Sequence, residues 1–398
     1  MNPDKLQDGA GQPASILVVD DTAANLQVLA GMLKDRGYKV RPVPNGKLAL
    51  SAARRDPPDL ILLDINMPEM NGYEVCEHLK ADDKLKGIPV IFISALTEQL
   101  DKVKAFAMGG VDYLTKPFQM EELHARVETH LKLRRQQIEL EKYSHHLELA
   151  RERVKLDLEL ARGVQRGFLP LQLPEVPGYE FFAHYNAAYE VGGDYYDFIL
   201  LPQKRIAVLL GDVAGKGVVA ALLMAKLSAD ARFCMLAEPD PAAAVTRLNA
   251  LMIQSGIADR FVTLVAAVLD PGSHTVTLVN AGHPPPLIYH LSTRTAEDTP
   301  GNEAAGLPLG VLDGFEYRSF QVSLAPGDSI LAFTDGVTEA MNSQDLLLET
   351  KGVHAAVRGE AYSTRALGEQ VVKVVREFAD GRSQQDDIAL VGLGRTGC

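Results

Sequence analysis

The sequence predicts a multidomain chain: a doubly wound α/β unit with a parallel sheet, a long helical linker, and an α+β layered unit. Three observations predict it. From Ile16 to about Leu133, short β-branched runs alternate with amphipathic stretches. A segment over about 121–168 then lacks proline and has no glycine before Gly163. From about 175 to 395, strand-like runs follow one another and the helical patterns group elsewhere. At 398 residues the chain also exceeds the ~100–200 residues of one ordinary domain.

Residues 1–14 are polar and read as a flexible tail. The strand candidates are ILVV (16–19), LILL (60–63), VIFIS (90–94) and VDYL (111–114); largely continuous apolar runs, rather than alternating ones, suit strands covered on both faces. Helical patterns lie between them at Asn25–Arg36, Gly72–Lys80 and Gln99–Met108. In the middle segment Leu133, Leu140, Tyr143, Leu147, Ala150, Val154, Ala161, Val164 and Phe168 recur at heptad-like spacing, interrupted by Gln136 and Asp157. Such a seam predicts one continuous helix that pairs with a second copy as a coiled coil, hence a homodimer. Leu169-Pro170 stops it. Strands are then expected at Ile206–Leu210, Val262–Leu269, Thr275–Val279, Ser329–Phe333 and Ile388–Val391, with helices near 217–236, 240–255 and 364–379. The polar stretch 291–306 reads as a mobile loop. The expected division is tail 1–14, first domain 15–133, linker 134–168 and last domain 169–398.

Hydrophobic residues at 46% and charged residues at 23% describe a soluble globular chain. A net charge of −12 (40 basic, 52 acidic) excludes non-specific nucleic-acid binding, which needs a basic face. The three cysteines, Cys76, Cys234 and Cys398, are too scattered for a disulfide framework or a zinc site. The N-terminus has no apolar signal core, and the longest apolar run, Val218–Ala225, is far short of the ~20 residues of a membrane span. A cytoplasmic protein with no membrane partner is expected.

Two sets of acids carry the chemistry. Asp20 and Asp21 follow the first strand and Asp64 follows the third, at the carboxyl ends where parallel sheets bind ligands. Three converging carboxylates require a divalent cation, and Mg²⁺ suits such an oxygen cage. Ser94 ends the fourth strand and Lys116 follows the fifth, a hydroxyl and an ammonium suited to an added phosphoryl group. Asp64 is then placed to act as a nucleophile and form an aspartyl phosphate. In VVDD (18–21), LLDINMPEMNG (62–72), ISA (93–95) and DYLTKPF (112–118) the segment 15–133 resembles the receiver domain of two-component response regulators. The resemblance implies Asp20, Asp21 and the Asn66 carbonyl as Mg²⁺ ligands beside Asp64, the phosphoacceptor. It also implies Ser94 and Lys116 as phosphate ligands, Tyr113 as a switch residue, a cis Lys116–Pro117 bond, and a histidine kinase or phosphotransfer protein as partner.

The second set is EVGGDYYD (190–197), GDVAGKG (211–217), FTDGVTEA (333–340) and QQDDIAL (384–390). Any one of these is an ordinary turn. Together, each abutting an apolar run, they point to gathered carboxylates that suit Mg²⁺ or Mn²⁺ rather than zinc. Two such ions clamp a phosphate for in-line attack. Tyr195 and Tyr196 follow the GGD where the diguanylate cyclase signature needs an acidic residue and phenylalanine, which excludes that enzyme. With ELARGVQRGFLP (159–170), NAGHPPPLIY (280–289) and GLPLGV (306–311), the region 160–395 resembles the metal-dependent PPM phosphatases in their SpoIIE/RsbU branch. This implies two packed antiparallel sheets flanked by helices, and hydrolysis of phosphoserine or phosphothreonine without a phosphoenzyme. By position Asp212 bridges two metals, Asp194 serves one with the Val213 carbonyl, and Asp335 with Asp386 holds the other; Asp387 is the adjacent alternative. Ala214 stands where eukaryotic members carry a histidine, so the resemblance supplies no general acid. Lys216 is a candidate phosphate cation and His283 reads as structural. The implied substrate is a phosphoprotein, by family analogy a phosphorylated anti-sigma-factor antagonist, under control of the receiver. The alternative is a catalytically silent adaptor that binds a regulatory protein.

Overall fold

The computed structural model describes residues 13–95, 104–256, 260–299 and 305–397. Most of the expected tail, the start of the helix expected at Gln99–Met108, and Cys398 therefore lie outside the described residues. Of the tail, Ala14 is buried and its carbonyl accepts from Lys39 N–H. The chain forms two compact units, Met1–Arg151 and Glu152–Cys398.

In the first unit β1 (Ser15–Val19), β2 (Lys39–Val43), β3 (Leu60–Asp64), β4 (Val90–Ala95) and β5 (Asp112–Lys116) form one parallel sheet in the order β2-β1-β3-β4-β5. The order reverses beside β1, so the ends of β1 and β3 flank a cleft. Apolar residues on both faces of these strands are buried under α1 (Ala23–Lys34), α2 (Gly46–Arg55) and α3 (Gly72–Lys80). Asn71 and Glu74 form a reciprocal capping box that starts α3 within the PEMNG stretch. Gly72 is required there, because a Cβ would collide with the Asp64 carbonyl.

A helix, α4, runs unbroken over Met120–Arg166. Its first turns belong to the first unit's core through Leu123, Val127 and Leu131. Beyond them the heptad seam is bare: Leu140, Tyr143, Leu147, Val154 and Val164 are each at least 59% exposed.

The second unit holds two sheets packed face to face. One has the order β13-β10-β9-β8-β7, with β14 also on β10: β7 (Tyr195–Leu200), β8 (Ile206–Val213), β9 (Val262–Asp270), β10 (Thr275–Ala281), β13 (Ala305–Gly306) and β14 (Ser319–Ser323). It is antiparallel except for the short β10–β13 pair. The other is antiparallel throughout, in the order β12-β11-β15-β16-β6: β6 (Tyr179–Asn186), β11 (Leu287–His290), β12 (Thr295–Asp298), β15 (Ser329–Phe333) and β16 (Ile388–Arg395). Inner-face residues such as Val208, Leu210, Val265, Ile330 and Val391 share one core. The outer face of the first sheet is covered by α5 (Val218–Ala237) and α6 (Pro241–Gln254), that of the second by α8 (Glu349–Ala356) and α9 (Thr364–Ala379). The mobile loop expected over 291–306 is corrected in part: Thr295–Asp298 is β12, an edge strand paired to β11, and Ala305–Gly306 is β13. Its polar sequence fits an edge position, where only one side needs a partner.

Candidate functional site

In the first unit Asp20, Asp21, Asp64, Asn66, Ser94 and Lys116 lie at or just past the carboxyl ends of the strands, while Tyr113 lies further back on β5, opposite Phe92. Asp20 is fully buried, Asp64 and Ser94 are buried, and Asp21 and Asn66 are exposed. Asp20, Asp21 and Asp64 each offer an oxygen within 4.8 Å of the others. Lys116 Nζ donates to Asp20 Oδ2 at 2.9 Å and lies 3.1 Å from Asp64 Oδ1. Burial raises the Asp64 pKa, with Lys116 opposing. Burial alone would lower the Lys116 pKa, but the bonds and charges of Asp20 and Asp64 outweigh it and raise it. The Lys116–Pro117 peptide is cis. Tyr113 lies under the Arg126 guanidinium, 5.5 Å from its ring. Sequence reasoning missed Asn25, whose amide donates to both Asp20 oxygens at 2.9 and 3.0 Å; its place one turn into a helix after DD is the signal that marks it.

In the second unit four separated motifs meet. The β7–β8 hairpin sets Tyr195 opposite Gly211, which brings Asp194, just before β7, beside Asp212 within β8. Asp335 heads α7 (Asp335–Thr338) directly after β15, and Asp386 precedes β16, paired to β15. Thr334 Oγ1 donates to Asp194 Oδ2 at 2.8 Å and accepts from Ala389 N–H, tying one sheet to the other. Asp387 braces the GGD loop: Oδ1 accepts from Ala188 N–H at 2.8 Å and Oδ2 from Gly193 N–H at 2.5 Å. Gly192 permits that approach, since a Cβ would run into the Asp387 carboxylate and the Tyr185 hydroxyl. The Val213 carbonyl lies beside Gly193.

Asp194 is buried, Asp212, Asp335 and Asp386 are half-buried, and their charges repel one another. Burial, then the charges of Asp212 and Asp387, push the Asp194 pKa well above the ordinary carboxylate value. Asp212 is pushed up to about 7 by burial and then by Asp335 and Asp386. Burial, followed by Asp386 and Glu339, pushes Asp335 up to about 6. Against them Lys216 Nζ donates to the Gln385 carbonyl at 2.6 Å and pairs with Asp386 Oδ2 at 2.9 Å. The donor types, carboxylates with no histidine or cysteine, suit hard divalent ions; among the described residues, only Asp20, Asp21 and Asp64 of the receiver bring three such oxygens within 4.8 Å of one another.

Residues 16–128 match the response regulator receiver domain, and residues 202–396 match the domain described as stage II sporulation protein E, SpoIIE. The chain is a receiver joined to a SpoIIE-type PPM phosphatase domain. The receiver is 45% identical over 114 residues to response regulator PleD of Caulobacter vibrioides, covering 29% of this chain and 25% of that protein. The SpoIIE-type region is 31% identical over 211 residues to phosphoserine phosphatase RsbU of Bacillus subtilis, covering 52% of this chain and 61% of that one. The chain thus spans between a quarter and about three fifths of these relatives. Among solved structures, the RsbU and RsbW domains of a Mycobacterium tuberculosis protein match with a TM-score of 0.50 and 26% identity, over 58% of this chain and 63% of that one. The SiaA-PP2C domain of Pseudomonas aeruginosa shares the fold, with a TM-score of 0.54 and 23% identity over 62% of this chain and 98% of that one.

Around the SpoIIE-type cluster, His283 is buried with both ring nitrogens used: Nδ1 meets Thr263 Oγ1 at 2.8 Å and Nε2 the Phe333 carbonyl at 3.1 Å. Burial lowers its pKa to about 4, so it is a neutral strut between strands. Ala214 makes only main-chain bonds, to Phe261 and to the Arg260 guanidinium. Sequence reasoning missed Gln165. In the last turn of α4 its buried amide donates to the Gly192 carbonyl at 2.6 Å and accepts from Gly192 N–H at 3.2 Å. A polar residue at a concealed helical position is its only sequence signal. No helix among the described residues is long and apolar enough to cross a membrane.

Proposed function

We propose that the chain is a phosphoprotein phosphatase controlled by phosphorylation of its receiver. The observation that carries this reading is the convergence of Asp194, Asp212, Asp335 and Asp386, drawn from both sheets, into one repulsive acidic cluster. Asp212, Asp194 and the Val213 carbonyl would hold one Mn²⁺ or Mg²⁺ ion, and Asp212, Asp335 and Asp386 a second. Such ions, when bound, neutralise phosphate charge and supply Lewis acidity. The protein's own part is positional. Asp387 and Thr334 hold the ligand loops, and Lys216 offsets charge at Asp386. In the receiver Asp20, Asp21 and the Asn66 carbonyl would hold Mg²⁺. An Asp64 carboxylate oxygen attacks the phosphorus of a histidine-kinase or phosphotransfer donor, and the donor's leaving group departs. Ser94 and Lys116 then bond the new phosphoryl oxygens, and Tyr113 responds.

Control runs along α4. Its bare seam is covered by a second copy of the chain, and its last turn grips Gly192, next to the GGD loop, through Gln165. A change in pairing therefore reaches the loop that carries Asp194. The substrate class is a phosphoserine or phosphothreonine protein, with a phosphorylated anti-sigma-factor antagonist as the first to try.

Phosphate release from a phosphoserine peptide with Mn²⁺ tests the enzyme: wild type active, Asp212→Asn inactive. A rate that survives that substitution, or that needs no metal, removes the catalytic reading and favours the silent adaptor. Equal rates with and without beryllofluoride, and in Asp64→Asn, would remove the control.

A further inference from the structure

Beside the acidic cluster, within the SpoIIE-type domain alone, is a cavity of about 380 Å³. That volume falls in the range of binding clefts, about 300–1,000 Å³. It borders the edge of the cluster through Lys216, Asp386 and Gly336, the residue after Asp335. Its walls are largely apolar, with Met341 on one side, Val375 and Ala379 of α9 on another, and Ile388 at the head of β16. Arg382 fixes the shape, donating to the Asn342 carbonyl at 2.8 Å and to Asp345 Oδ1 at 2.6 Å. Arg376 lines the same space, is exposed, and its side chain has no hydrogen bond or ion pair among the described residues.

We infer that this cavity receives the peptide flanking the phosphorylated residue of the substrate, with an apolar side chain seated between Met341 and the α9 wall. The inference rests on the phosphatase reading above. A phosphate drawn to the cluster leaves its own peptide at the cavity mouth, and extended chain advances only about 3.3–3.6 Å per residue. A side chain within two positions of the phosphoresidue therefore reaches the apolar walls. The unpartnered Arg376 guanidinium suits a carboxylate or main-chain carbonyl of that segment. A small metabolite would use the polar end and leave Met341, Val375 and Ala379 without a partner.

The test uses the full chain with Mn²⁺, p-nitrophenyl phosphate, and glycine-rich phosphoserine peptides. Leucine is placed in turn at each of the four positions flanking the phosphoserine. One position is expected to raise kcat/KM about tenfold over the all-glycine peptide, chiefly through KM. Ala379→Trp at the exposed end of α9, and separately Ser383→Trp on the cavity loop, should erase that advantage. Both should leave p-nitrophenyl phosphate hydrolysis within about twofold of wild type, which also shows that they fold. Equal rates for every leucine position overturn the inference and leave the phosphatase reading standing. So does a leucine advantage that survives both tryptophans. Wild-type protein that hydrolyses neither substrate overturns the phosphatase reading, and the inference with it.

Discussion

In the receiver, one ammonium, that of Lys116, pairs with two of the three clustered carboxylates; in the SpoIIE-type domain, Lys216 pairs, among the described residues, with Asp386 alone, at the edge of its cluster. The receiver acids project from the ends of adjacent parallel strands, and three of their oxygens lie within 4.8 Å of one another. The SpoIIE-type acids come from four motifs spread over 190–390, whose loops are held by Asp387 accepting from backbone amides and by the Thr334 hydroxyl donating to Asp194. A resident cation therefore pre-balances the first site. The second carries its repulsion as raised pKa values, and its behaviour should depend far more on pH and on added cations.

Asp212→Asn should break that contrast most severely. Loss of the central carboxylate is expected to cut Mn²⁺-dependent phosphate release by about 100-fold or more, beyond the 10–100-fold typical of outer-shell changes. In chelator the same change should stabilise the domain. A carboxyl whose folded pKa is raised from 3.8 to about 7 binds its proton more tightly when folded, so its contribution falls as pH rises through that window. Urea melts should show variant and wild type alike near pH 4 and the variant ahead at pH 8. The reverse order at pH 8 would mean that the repulsion is not there.

His283 provides the opposite sign inside the same domain. Its folded pKa of about 4 lies below the ordinary 6.5, so the unfolded chain takes up the proton first and stability is lost as pH falls from about 6.5 to 4. Relative to His283→Gln, wild type should lose on the order of 2–3 kcal/mol over that range, from ~1.4 kcal/mol per pKa unit. Parallel denaturation curves for the two proteins would exclude the strut assignment.

Gln165 sharpens the comparison from the other end of the site. Gln165→Ala deletes a buried two-way clasp on Gly192, at a cost of about 1–3 kcal/mol. Receiver phosphorylation, followed with acetyl phosphate, should be unchanged, while the phosphatase should no longer respond to beryllofluoride. A retained response would place control somewhere other than this helix end.

How much of this was legible in sequence follows from chain topology. The receiver acids Asp20 and Asp64 sit at the ends of short, uniformly apolar strands, so strand ends locate them and Ser94; Lys116 closes the mixed strand DYLTK. What escaped there was β2, KVRPV, whose proline and polar residues suit an edge strand bonded only to β1. In the SpoIIE-type domain the apolar strands were visible, but β6 and β7 mix polar and aromatic residues, β12 (TAED) is polar, and none of the three was expected. The meeting of Asp212 with Asp335 and Asp386 depends on two sheets stacking through Val208, Leu210, Ile330 and Val391, a contact that no local pattern encodes. The different places of Asp386 and Asp387 were equally hidden. Neighbouring residues point opposite ways, one toward Lys216 and one under the GGD loop.

The smallest expected effect concerns the two lysines themselves. Lys216 and Asp386 are about half and one third exposed, so their pairing is screened by water and is worth up to about 1 kcal/mol. A cation entering at Asp386 must displace that ammonium. Lys216→Met should therefore tighten Mn²⁺ binding to the SpoIIE-type domain by about 2–5-fold in calorimetric titration, with the receiver site blocked by Asp64→Asn. Lys116 predicts the contrary for the first site. There the ammonium lies against two buried carboxylates, so Lys116→Met leaves Asp20 and Asp64 unpaired and should make receiver stability depend on Mg²⁺. If Lys216→Met weakens Mn²⁺ binding instead, the ammonium orients Asp386 rather than competing for it, and the contrast between the two sites fails at that residue.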